Sequence, residues 1–206
     1  MRIDNMTQYR LEFPPWLNVM ETHGAWQEAI DLLYENWKKA PNNLNNTICL
    51  GGEIWYVLYL HSISKSDPAK SFPAINEDLL LARLVEVTRF GIAYFSNNAV
   101  FCSYFGYMIK VIPYFFYTDT EPYILTKDCF ARQEAAINLM REAYAIEPGN
   151  PFAKVMYYET DNSAEYYLAC DELWKQTPVA QWGDSEVSQY FMRIMNGDAK
   201  SDETTG

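Results

Sequence analysis

The chain has 206 residues, 49% of them hydrophobic and 16% aromatic, which is enough apolar mass to bury a core and excludes an unstructured linker. Its 16 basic residues face 27 acidic ones, a net charge of −11 that argues against a nucleic-acid or anionic-membrane surface and favours a basic partner. Cys49, Cys102, Cys129 and Cys170 lie far apart with no CxxC and no flanking histidine pair, so zinc knuckles and thioredoxin-type motifs are excluded and a reduced, cytoplasmic chain is the simplest account.

The N-terminal stretch "MRIDNMTQYRLEF" has no apolar core and no small-residue cleavage site, so it does not read as a signal peptide. Residues 26–40 set Trp26, Ala29, Ile30, Leu33, Trp37 and Ala40 at helical spacing, with Glu28 in the first turn and Lys38 and Lys39 in the last, and stop at "PNN" (41–43). A second, aromatic-rich helix follows over 46–62, then a polar, proline-bearing loop over 63–75. Residues 78–95 are apolar almost all round, which predicts a helix buried on several sides, and stop at "SNN" (96–98). Residues 99–117, the most apolar stretch, contain Lys110 and Pro113 and read as a buried core helix over 99–112 and not a membrane span.

After a loop over 116–127, residues 134–147 place Ala136, Ile137, Met140, Ala143 and Tyr144 on one stripe and stop at "PGN" (148–150). Asn150 and Pro151 then form an N-cap and first-turn pair for a helix over 151–159. A looser unit runs through 163–176 and 184–195, and residues 196–206 read as a disordered acidic tail. From Tyr157 onward there are 10 acidic residues against three basic, a net of −7, so most of the excess charge sits in the last quarter. A solvated helix face plus an acidic tail accounts for this as readily as a binding surface does.

The three stops recur at intervals of 55 and 52 residues, and each is followed by a helix. Helix–stop–helix units of this kind predict an all-α fold of stacked pairs. At the third unit the residues resemble the tetratricopeptide repeat, whose second helix carries small, bulky and small residues and then a proline, as Ala136, Met140, Ala143 and Pro148 do. Ala29, Leu33 and Pro41 match the same pattern, with Asn36 in place of the second small residue. Leu50-Gly51 resembles the family's Leu-Gly pair, and Phe105-Gly106 is a degenerate version of it. The family repeats at about 34 residues, so long insertions would separate the units here. The resemblance implies an α-solenoid of three to four antiparallel helix pairs in one domain over 1–195, with units near 24–62, 78–112, 128–159 and 163–195.

No cluster announces chemistry. His23 and His61 belong to no HxxxH or HExxH pattern, "LGGE" (50–53) lacks the Lys-Ser/Thr of a phosphate loop, and "YETDNSAEYY" (158–167) lacks the glycine and spacing of an EF-hand. The expectation is therefore no catalytic residue, metal, cofactor or small-molecule substrate. The repeat resemblance instead implies a concave face carrying Trp55, Tyr107 and Glu159, with Tyr56 and Lys110 beside it. Acids at Glu165, Asp171 and Glu172 would steer a basic protein toward such aromatic anchors, although large rings also serve a helical core.

The leading expectation is thus a non-enzymatic protein-binding module. A small acidic chain of this kind looks like a bacterial toxin-neutralising immunity protein covering a basic effector domain. The alternatives are a repeat adaptor or chaperone holding an extended peptide, and a helical enzyme whose site is assembled from scattered residues.

Overall fold

The stops at 41–43, 96–98 and 148–150 are built alike. In each, the backbone N–H of the last asparagine donates to a carbonyl three residues back: Asn43 to Ala40 (3.1 Å), Asn98 to Phe95 (2.9 Å) and Asn150 to Glu147 (2.9 Å). The same asparagine turns its side-chain oxygen forward and accepts from Asn46 N, from Phe101 N, and from both Phe152 N and Ala153 N. One residue therefore ends a helix and caps the next, satisfying N–H groups that a helix start leaves without partners.

The computed structural model describes residues 13–67, 72–117, 128–159, 164–176 and 184–195. Among the described residues the architecture is all-α and contains no strand. In chain order the helices are α1 (Pro15–Thr22), α2 (Trp26–Lys39), α3 (Leu44–Ser66), α4 (Glu77–Phe95), α5 (Ala99–Val111), α6 (Cys129–Ile146), α7 (Pro151–Glu159), α8 (Ala164–Gln176) and α9 (Glu186–Met195), with a 3-10 turn at Pro113–Phe116. The tail at 196–206 and most of the 116–127 loop lie outside the described residues.

The structure departs from the sequence reading in several places, and α3 runs on to Ser66 into the stretch expected to be loop. Helix α1 was not expected; it starts on the Pro14-Pro15 pair, and Pro15 suits a first turn because its missing N–H would have had no partner there. Helix α6 starts at Cys129 and not at residue 134, because Asp128 Oδ1 accepts from Phe130 N (2.7 Å) and Ala131 N (3.1 Å). Helix α4 is not buried all round. It buries a stripe through Leu80, Leu84, Val87, Thr88 and Gly91 and leaves Leu79 and Tyr94 exposed.

The interior belongs to α3 and α5. Every residue from Thr47 to Leu58 and from Ala99 to Ile109 is buried, because other helices cover these two on several sides. Each fully buried Leu, Ile or Phe side chain contributes roughly 1.5–3 kcal/mol of transfer free energy. Helix α3 packs on α2, α4 and α5; α5 packs on α6 and α7; α7 packs on α8; and α9 returns to lie on α3 and α8.

Glycines let helices approach closely at two junctions in the interior. A Cβ on Gly106 would stand 3.0 Å from the Ala136 carbonyl oxygen and 2.7 Å from Met140 Cγ, so α5 and α6 touch backbone to backbone there. On Gly51 a Cβ would fall 2.6 Å from Phe105 Cζ. Among the described residues no helix is long and apolar enough to cross a membrane.

Candidate functional site

The eight residues picked out as partner-binding separate into an inner and an outer group. Trp55, Tyr56 and Tyr107 are buried, and α9 of the same chain covers them. Helix α9 is amphipathic. Ser185 sits at its start, where its hydroxyl accepts from Ser188 N (3.3 Å), and Val187, Phe191 and Ile194 are buried along one side. Phe191 packs its ring 6.2 Å from that of Trp55, 4.8 Å from Tyr104 and 5.9 Å from Tyr107. Tyr190 lies 5.4 Å from Trp55 and 5.5 Å from Tyr56, and its hydroxyl is 3.1 Å from that of Tyr107.

Of the two roles left open for these rings, anchor or core, their burial fits the core: α9 packs into an aromatic groove on α3 and α5. Burial raises the Tyr107 hydroxyl well above the ordinary phenol range and pushes Tyr190 up to about 12, so both stay neutral hydrogen-bonding groups. Lys110 and Glu159, at the α5–α7 junction, are half-buried and pair with each other at 2.5 Å.

Under the start of α9 lies a group of carboxyls that sequence reasoning missed. Glu21 of α1 and Glu53 of α3 are both buried, Glu53 completely. Glu21 Oε2 accepts from the backbone N–H of Glu186 at 2.7 Å, and the Glu186 carboxylate accepts from the Tyr56 hydroxyl at 3.4 Å. Glu21 Oε1 and both Glu53 oxygens have no hydrogen-bond partner among the described residues.

Burial, then the charge of Glu21, holds the Glu53 carboxyl well above the usual range, so it keeps its proton. Burial also pushes Glu21 up to about 7, opposed by the Glu186 N–H. The available signal was Glu53 itself, a lone acid inside the apolar run "LGGEIWYVLYL".

The outer group is a surface of α8. Glu165, Asp171 and Glu172 are exposed, and so are Tyr167 and Leu168 between them, with Leu168 68% accessible. The opposite side of α8 buries Tyr166, Ala169, Cys170 and Leu173, and Tyr166 donates its hydroxyl to the Ile194 carbonyl at 2.6 Å. Glu172 also accepts from Lys154 of α7 at 2.5 Å. Compared with protein-family models, curated proteins and solved structures, the chain matches none.

The arrangement therefore offers two apolar side chains rimmed by three carboxylates, a form suited to a basic surface with an apolar spot. Tyr167 and Leu168 escaped the sequence reading because the helical period alone does not say which side of α8 faces α7. Among the described residues no three His, Cys, Asp or Glu side chains are arranged to hold a metal ion.

Proposed function

We propose that the chain is a non-enzymatic protein-binding module of stacked, tetratricopeptide-like helix pairs, and that its partner is a basic protein domain. The more specific reading is a toxin-neutralising immunity protein that covers the active site or substrate groove of an effector such as a nuclease. The observation that carries it is the α8 surface, where exposed Tyr167 and Leu168 sit among Glu165, Asp171 and Glu172. Desolvated aromatic and aliphatic groups supply affinity, and rim carboxylates supply orientation and association rate. The repeat-like arrangement is supported by the successive packing of α3 on α5 and α5 on α7, each of the three preceded by an asparagine stop.

The test is direct. The product of the gene immediately upstream is the first partner to try, followed by a pull-down, with affinity measured at two salt concentrations. Reversing Glu165, Asp171 and Glu172 together to Lys is expected to slow association and remove most of its salt dependence. Unchanged affinity and unchanged salt dependence in that variant would defeat the reading.

A further inference from the structure

Helix α7 buries Phe152, Ala153, Val155 and Met156, which leaves Lys154, Tyr157 and Tyr158 as a half-exposed stripe at i, i+3 and i+4. Tyr144 of α6 is half-exposed beside it. Its ring stacks on Tyr157 at 4.9 Å and lies 6.1 Å from Tyr158, and the two α7 rings meet edge to face at 5.0 Å. Three phenol rings thus brace one another at the surface. Rings held in place by their neighbours spare a partner the ordering cost of loose side chains.

One ion pair joins these rings to α8. Lys154 donates to Glu172 at 2.5 Å, and Glu172 shares a stripe of α8 with Leu168 and Glu165. The bond to Glu172 is the main cause that holds the Lys154 ammonium above its ordinary value, and Tyr144 and Tyr158 add to it against the effect of burial. A cation of the chain itself therefore already stands among two of the rings and a carboxylate. Tyr144, Tyr157, Tyr158, Lys154, Glu172 and Leu168 make one surface that crosses α6, α7 and α8.

We propose that this surface takes arginine side chains of the partner, with the guanidinium lying against a tyrosine ring while it bonds a carboxylate of α8. The proposal rests on the α8 reading in taking the partner to be basic; it adds the rings of α6 and α7 and the kind of cation. The chain carries the same arrangement within itself, where the Arg83 guanidinium stands 4.4 Å over the Tyr34 ring and pairs with Asp31. A guanidinium is flat, forked and weakly hydrated, so it can face a ring and bond a carboxylate together. A lysine ammonium is a compact, strongly hydrated point charge and gains less from the ring. Removing the rings at constant charge should therefore remove most of the preference for arginine.

The experiment titrates fluorescent hexaarginine and hexalysine into the full-length protein and follows their anisotropy. Wild type is expected to bind hexaarginine at least about threefold tighter than hexalysine. Tyr157→Leu with Tyr158→Leu keeps the charge and most of the apolar bulk, and should bring the two peptides close to equal affinity. Failure of hexaarginine to bind, equal binding of the two peptides by wild type, or an undiminished arginine preference in the double variant would each overturn the proposal.

Should the double variant not fold by circular dichroism, Tyr144→Leu decides: losing the ring stacked on Tyr157 must shrink the preference, and an unchanged preference overturns the proposal. Reversing Glu165, Asp171 and Glu172 to Lys should weaken both peptides. A weakening there without an arginine preference in wild type sinks this proposal and leaves the α8 reading standing. Binding of both peptides that the reversal leaves unchanged sinks the α8 reading, and this proposal with it.

Discussion

Two groups of acids, an exposed trio and a buried pair, occupy this molecule in opposite ways. Glu165, Asp171 and Glu172 stand in solvent on α8, where water screens them and their charge reaches outward. Glu21 and Glu53 are buried where α1, α3 and α9 converge, and burial raises both carboxyls, while Glu186 stands exposed at the edge and gives its backbone N–H to Glu21. The residue chemistry is the same in both places. Its consequence is set by solvent, because a charge that helps recognition at the surface becomes a demand for a proton or a counter-ion when buried.

The largest effect expected from breaking the inner region is that of Trp55→Ala. Removing a fully buried ring that touches Tyr59, Tyr107, Tyr190 and Phe191 should cost about 3–5 kcal/mol in urea unfolding. A cost below that of an ordinary surface change would mean that α9 does not rest on this ring in solution.

Next comes the half-buried Lys110–Glu159 pair. Glu159→Ala leaves a lysine with little water to replace its partner and should cost on the order of 2 kcal/mol. The exposed Lys154–Glu172 pair gives the contrast, since Glu172→Ala should cost about 0.5 kcal/mol or less. Comparable losses at the two pairs would erase the distinction between inner and outer acids.

The pH dependence is a sharper probe of the buried pair. Glu21 binds its proton more tightly folded than unfolded, so its contribution is fully present below about pH 4.5 and is lost as pH climbs through about 7, and the tighter hold on the Glu53 proton adds to the fall. Stability should fall by on the order of 1–2 kcal/mol across that window, read as a shift in the urea midpoint. Glu53→Gln should flatten that slope, and a slope that persists would assign the titration elsewhere. The smallest effect belongs to the outer trio: each single reversal at Glu165, Asp171 or Glu172 should move stability by no more than about 0.5 kcal/mol.

Much of the fold was legible in the sequence because helices announce themselves locally. The asparagine stops are complete within a few residues, so Asn150 was readable as a cap from its neighbours alone, and the Ala136–Met140–Ala143 stripe lies on the buried side of α6 as its spacing requires. The candidate site was legible in residue type and not in exposure. Trp55 and Tyr107 were picked as anchors and lie beneath α9, while Glu165, Asp171 and Glu172 were picked as a rim and do face solvent. Tyr167, Leu168, Glu21 and Glu53 were passed over because nothing within a few residues of them fixes which neighbour they meet.

The sequence by itself determined the helical class, the stops and the acidic excess of the last quarter, since each depends on interactions within a turn or on a simple sum of charges. Only the tertiary structure decided that α9 folds back over Trp55, and that Glu186 arrives beside Glu21 from 165 residues away. Those outcomes depend on which apolar surfaces find one another at long range, and local periodicity carries no information about that choice.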